Sequence, residues 1–225
     1  MSHDYQEMRD LILLAMLPHV VFEGWTREAL EAGIEDLGDV HEFGPDVLDT
    51  VFPGGMSDVA MHFSDWADRR MVAEMAKLDV ESMKIRDRIA AGVRCRLQVL
   101  APHREAVRSC LSYMALPLHH VAALQCTYNT LNEIWYAAGD DSHDFNFYTK
   151  RATLAPVLGT TTLYWLADDG DGDGDFPDTW DFLDRRIGDL LNVMKVRGRW
   201  SKKLSHLPDP LSICKRFTAA AQARR

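Results

Sequence analysis

The stretch Gly24-Trp-Thr-Arg-Glu-Ala-Leu-Glu-Ala-Gly-Ile-Glu-Asp-Leu-Gly38 is punctuated at both ends. Thr26 is an N-cap residue, because its hydroxyl can accept one of the orphan backbone N–H groups of a first helical turn. Trp25 stands just before it, where an apolar side chain staples onto Leu30. Gly38 follows the last apolar residue, where a helix stops. One short helix is therefore bracketed between two turns, and it sets the scale for what surrounds it.

Upstream, Met8, Leu11, Ile12 and Ala15 give a first helix that is expected to stop before Pro18. Downstream, Pro45 to Phe52 makes a third short helix closed by Pro53-Gly54-Gly55. Longer segments with apolar residues three and four apart follow over 56–77, 84–100, 104–116, 119–138, 145–167 and 178–196. A last short helix is expected from Asp209-Pro210. No segment alternates like a strand. The expected fold is all-α: a small front of helix-turn-helix type and a larger bundle, the plan of the TetR-type regulators. The expected divisions are a degenerate helix-turn-helix over 1–55, a ligand-binding and dimerising bundle over 56–198, and a basic tail over 199–225.

Charge separates the two ends. The net charge is −9. Residues 1–80 hold 5 Lys/Arg against 17 Asp/Glu, net −12, while 195–225 hold 9 against one, net +8. The would-be recognition segment carries Asp39, Glu42, Asp46 and Asp49 and no base. Four acids facing a polyanion oppose DNA binding at any realistic salt, so no nucleic-acid partner is expected. A TetR-type regulator taking an apolar ligand stands as the alternative function.

Catalytic and metal signatures are missing from the sequence. There is no Glu-x-x-His, no H-E-x-x-H, no paired Cys/His spacing, no nucleophile elbow and no phosphate loop. His119 and His120 are adjacent, so their rings diverge by about 100° on a helix. Taking Asp169 as the first position of a calcium loop puts Trp180 where the closing Glu belongs. The four cysteines, Cys95, Cys110, Cys126 and Cys214, read as free thiols. Neither catalytic residue, metal nor cofactor is expected. An apolar ligand held between helices is, with Trp135, Leu131, Leu158, Trp165 and Met114 as lining residues chosen from the apolar stripes.

The segment Asp140-Asp-Ser-His-Asp-Phe-Asn-Phe-Tyr-Thr-Lys-Arg151 mixes acids, rings and bases. On a helix starting at Phe145, Phe147, Tyr148, Leu154 and Leu158 share a broad face with Arg151 among them. Two readings follow. Arg151 is either a buried arginine pinning the turn or, with Asp144, Phe147 and Tyr148, part of a protein-docking patch.

The run from Trp135 to Ala152 resembles the signature of the coenzyme Q biosynthesis protein nine family, I-W-x-x-A-G-D-x-S-x-D-x-N-[WFY]-Y-T-[KR]-R-A. Leu17-Pro-His-Val20, Gly24-Trp-Thr26, Phe52-Pro-Gly-Gly55, Lys84-Ile-Arg86 and Phe182-Leu-Asp-Arg-Arg186 match as well. The resemblance implies a TetR-like fold without DNA binding, in a dimeric, lipid-binding accessory protein of ubiquinone biosynthesis that is not a catalyst. It implies a bound isoprenoid lipid or phospholipid, and presentation of polyprenylated intermediates to the di-iron demethoxyubiquinone hydroxylase. It assigns hydroxylase docking to Phe147 and Tyr148 beside Asp144. The family often has Trp where Phe147 stands, and some relatives have Asp where Asn132 stands. The chain is similar to bacterial members, which do without a transit peptide, so a cytoplasmic protein peripheral on the inner membrane is expected.

The tail fits a membrane surface. Trp200 sits among Lys202, Lys203 and further bases, and Ile213 and Phe217 can share a helix face with Lys215 and Arg216 off it. A solvated tail is the competing reading.

Overall fold

The computed structural model describes residues 2–38, 46–140, 145–172 and 174–189, with backbone alone for 2–4 and 145–148. The order is α1 (Ser2–Glu23), α2 (Arg27–Leu37), α3 (Val47–Val51), α4 (Met56–Met75), α5 (Ile85–Leu100), α6 (Arg104–Met114), α7 (His120–Ala137) and α8 (Phe145–Ala167). Residues 177–184 are helical as well. Among the described residues there is no strand, so the expected all-α class holds. Residues Met1–Asp184 form one compact unit and Arg185–Arg225 a second. Of the second unit, residues 185–189 are described: they are helical, and Arg186 pairs with Asp189 at 2.9 Å.

The first helix does not stop before Pro18. It runs through Pro18 to Glu23, and Gly24 closes it at φ 73°. The reason is in the burial pattern. Ile12, Leu13, Met16, Leu17 and Val20 make one buried stripe that continues past the proline, while Pro18 lies on the exposed face. The missing N–H and the ring clash are thus turned toward solvent, and packing outweighs a local cost of about 3 kcal/mol. The stripe meets α2 closely. A Cβ on Gly33 would stand 2.6 Å from the backbone N of Met16, so only glycine permits this approach.

Thr26 caps α2 as its sequence predicts, accepting from the Ala29 N–H at 3.4 Å. Trp25 is 5% exposed and turns toward α4: its ring centroid lies 5.5 Å from that of Phe63, and its Nε1 donates to the Met56 carbonyl at 3.2 Å. The front helices are therefore anchored on the long bundle helices within one compact unit. Gly92 plays the part of Gly33 at the next junction, with a virtual Cβ 3.0 Å from Ile134 of α7 and 3.2 Å from Met75 of α4.

The last turn of α8 is closed by arginines from α6. Arg104 Nη2 donates to the carbonyls of Trp165 and Asp168, both at 2.6 Å, and Arg108 Nη2 donates to that of Leu166 at 2.7 Å. Helix C-termini carry unsatisfied carbonyls and a partial negative charge, and both effects favour a guanidinium here.

The acidic loop after α8 is built as a cap. Asp168 Oδ2 accepts from the Thr179 N–H and hydroxyl, and its Oδ1 accepts from the Gly170 N–H. Burial works against the charge, but these hydrogen bonds, with Arg104 nearby, hold the Asp168 carboxyl below its ordinary range. The calcium-loop position Asp173 and the short helix expected from Asp209 lie outside the described residues.

Candidate functional site

Five helices line a half-open apolar pocket of about 200 Å³. α4 supplies Ala60, Phe63, Ser64 and Ala67, and α5 supplies Arg96, Leu97 and Leu100. α6, α7 and α8 complete the wall with residues that include Leu111, Met114, Cys126, Leu158 and Gly159. Small residues keep it open. A Cβ on Gly159 would meet nothing within 4 Å, and Gly159 is exposed while lining the pocket, as is Leu111. The space matches about one six-membered ring, since a cavity of about 150 Å³ takes benzene.

Of the five residues chosen as lipid-lining from the sequence, Met114 and Leu158 line this pocket. Leu131, Trp135 and Trp165 are buried but lie off its wall. Trp165 is fully buried at the α8 end, under Arg104 with Phe176 edge-on, and Trp135 lies beneath the Lys150 ammonium at 5.3 Å. An apolar stripe marks what faces inward, and solid core and cavity wall share that property.

One side of the pocket is polar. Arg96 Nη2 donates to Ser64 Oγ at 3.1 Å, and Nη1 lies 3.1 Å from Asp68 Oδ1. Thr130 Oγ1 donates to Asp68 Oδ2 at 2.9 Å. Burial pushes the Asp68 carboxyl up to about 6 against the opposing pull of Arg96 and Thr130. Behind this group lies a polar cleft of about 750 Å³ between α1, α4 and α7, and Ser64 and Cys126 line both spaces. In the cleft Arg9 pairs with Asp58 at 2.6 Å, and Asp10 holds both Arg69 at 2.6 Å and the buried His62 at 2.8 Å.

The α7–α8 connection carries the docking expectation. Gly139 ends α7 at φ 82°, and the Asp140 N–H returns to the Trp135 carbonyl at 3.0 Å, a left-handed closure that suits glycine. Arg88 Nη1 donates to the Ala138 carbonyl at 3.1 Å. The Asp140 carboxylate is 4% exposed and takes Lys150 at 2.5 Å, with Arg151 at 3.6 Å. Arg151 is 5% exposed and also donates to Asn132 Oδ1 from Nη2 at 2.8 Å and Nε at 3.2 Å. Of its two readings, the geometry is that of the buried arginine pinning the turn. Asn132 and Asp140 draw its guanidinium inward. Phe145 opens α8 as expected. Asp144 and the side chains of Phe147 and Tyr148 lie outside the described residues, as do Trp200, Lys202, Lys203, Ile213, Lys215, Arg216 and Phe217.

Three described cysteines, Cys95, Cys110 and Cys126, are free thiols, and Cys214 falls outside the described part. Burial raises all three above the ordinary thiol range. Among the described residues no group of three or more His, Cys, Asp or Glu could hold a metal ion. His119 is engaged in packing: it stacks on Tyr113 at 4.1 Å and bonds Ser57 through Nδ1 at 2.9 Å.

Residues 121–194 match the family model described as COQ9. The rat ubiquinone biosynthesis protein COQ9, mitochondrial, is 33% identical over 202 residues, covering 85% of this chain and 62% of the relative. The human protein of that name is 32% identical over 202 residues, with 85% and 61% covered. That of Drosophila melanogaster is 31% identical over 193 residues, with 84% and 57% covered. Over most of its own length the chain is similar to the COQ9 proteins. It spans about three-fifths of the length of these relatives. The TetR transcriptional regulator from Nitrosomonas europaea superposes with a TM-score of 0.52 over 82% of this chain and 98% of the regulator, at 16% identity. That likeness shows a TetR-like fold. The COQ9 signature now has a physical meaning in part. Its Gly is Gly139 at positive φ, and its Asp and basic pair are Asp140, Lys150 and Arg151 joined across the α7–α8 connection.

Proposed function

We propose that this chain is a non-catalytic, lipid-binding accessory protein of ubiquinone biosynthesis, working as a homodimer at a membrane surface. The observation that carries this is the similarity, over 85% of the chain, to proteins named for ubiquinone biosynthesis, joined to a half-open apolar pocket lined by five helices. In this reading the pocket takes part of an isoprenoid precursor or of a phospholipid, and the protein presents that lipid to the di-iron demethoxyubiquinone hydroxylase. Asp144, Phe147 and Tyr148 meet the hydroxylase, backed by the Arg151–Asp140–Lys150 brace.

No described helix is long and apolar enough to cross a membrane. The basic tail, with Trp200, Lys202, Lys203, Lys215 and Arg216 beside Ile213 and Phe217, supplies peripheral attachment to an anionic leaflet. The acids of the front argue against nucleic acid as a partner. Asp49 and Asp36 are exposed on the elements that a DNA-binding domain would present, and Asp49 already neutralises Arg27 at 3.1 Å.

The test is mass spectrometry of an organic extract of the purified full chain. An isoprenoid quinone precursor or stoichiometric phospholipid is the expected result. A lipid-free protein that also takes up none from added vesicles would overturn the carrier reading.

A further inference from the structure

The walls of the α4–α8 pocket are not uniform, and the exception is informative. Among its described lining residues Arg96 alone is charged. It reaches the wall from α5 and sits among Ser64, Thr130 and Cys126, so one side of an apolar space carries a guanidinium and two hydroxyls. A guanidinium has five N–H donors. Here one donates to Ser64, while Nη1 is shut off from solvent and lies 3.1 Å from Asp68 Oδ1 but off the hydrogen-bond line. A buried donor left without a hydrogen bond is costly, and a wall that merely faced hydrocarbon would do as well with apolar residues in place of the Arg96–Asp68 pair. The side lined by Leu111 and Gly159 is exposed, and Leu163 and Leu124, at 64% and 71% exposure, lie one helical turn from Gly159 and Thr127.

We propose that Arg96 is the head-group anchor of this pocket: the ligand is an amphiphile whose hydrogen-bond-accepting oxygens face Arg96, Ser64 and Thr130, with its apolar tail leaving past Leu111 and Gly159. This deepens the lipid-binding reading and rests on it. The volume admits about one substituted ring or a compact polar head, not a folded polyprenyl chain. The tail therefore runs along the outside, and the pocket selects on the head.

Three probes share similar tails and differ in the head: a benzoquinone with a ten-carbon chain, an alkylbenzene with the same chain, and dodecyl phosphate. Binding to the full chain is read by calorimetry. The quinone or the phosphate is expected to bind at least about tenfold tighter than the alkylbenzene, the worth of hydrogen bonds to a charged group. Whichever of the two binds tighter identifies the head as a ring carbonyl or a phosphate. In Arg96→Met paired with Asp68→Asn, which leaves no lone buried charge, that preference should vanish while alkylbenzene binding persists. Arg96→Lys should restore part of it. Equal binding of all three probes by the unaltered protein would overturn the anchor, and this comparison needs no variant to fold. A preference that survives the double variant would overturn it as well. If no probe binds, the lipid-binding reading itself fails.

Discussion

Arg151 holds Asn132 through two of its nitrogens, at 2.8 and 3.2 Å, and so ties the start of α8 to the last turns of α7. Replacing Asn132 by Ala removes that acceptor from a guanidinium that is 5% exposed and has Asp140 at 3.6 Å. A loss of about 1.5–3 kcal/mol is expected, the range for a hydrogen bond to a charged group. Asn132→Asp, which brings a carboxylate to the same place, should cost less. Denaturant unfolding of the two variants checks the order.

Gly33 is the contact that lets α1 and α2 close. Gly33→Ala places a methyl 2.6 Å from the backbone of Met16, and backbone cannot swing aside as a side-chain end can. The expected cost is about 1–3 kcal/mol, or several degrees in Tm for a domain of this size. Gly159→Ala, which meets nothing within 4 Å, serves as the control. It should leave stability unchanged or raise it slightly, because alanine is the better helix former.

Asp68 makes stability depend on pH in a direction opposite to most carboxylates. Its ordinary value is near 3.8 and burial lifts it to about 6 in the folded protein. Between these values the folded state holds a proton that the unfolded state has released, so unfolding free energy from this group falls as pH rises from about 4 to 6, and levels off above. Asp68→Asn keeps an acceptor for Thr130 and removes the titration. The difference in stability between the two proteins, followed by chemical denaturation from pH 4 to 7, should shift in favour of the variant as pH rises. A flat difference would show that Asp68 is not the group responsible.

Arg104 closes the end of α8 through two carbonyls and lies over the rings of Trp165 and Phe176. Arg104→Ala should therefore cost more than a surface substitution, about 2–4 kcal/mol, and Lys should recover little because a point charge cannot span both carbonyls and the ring faces. Tryptophan fluorescence should register the loss, since Trp165 is fully buried under the guanidinium.

The basic tail gives the last prediction. The double change Lys202→Glu and Lys203→Glu should weaken sedimentation with anionic vesicles by more than tenfold, given about 1 kcal/mol for each base near such a surface. Neutral vesicles should show no such difference. Equal binding of both proteins to anionic vesicles would remove the tail from the membrane reading.

Much of the fold could be read from local signals because those signals act locally. Thr26 caps where its hydroxyl predicts, and α8 starts and ends at the expected Phe145 and Ala167. Pro18 misled because its cost is local while its compensation, the buried stripe from Ile12 to Val20, is tertiary. The same division runs through the site. The motif around Gly139 stood out in the sequence, but whether Arg151 faces inward depended on Asn132, nineteen residues away and on another helix. Arg96 gave no signal at all. It lies in an ordinary helical stretch, and only the meeting of α4, α5 and α7 puts it beside a cavity. Leu131 and Trp135 read like pocket residues because periodicity reports burial and is blind to empty space.

Ser64 and Cys126 border the apolar pocket on one side and the charged cleft on the other. A partition one side chain thick has two faces and a single composition, so neither space can be reshaped there without altering its neighbour. Variation that adapts this protein to a different guest is free at Ala60, Leu158 and Gly159, which border the pocket alone, and constrained at the shared wall. Relatives that differ in what they hold should therefore diverge along the far rim and agree at the partition.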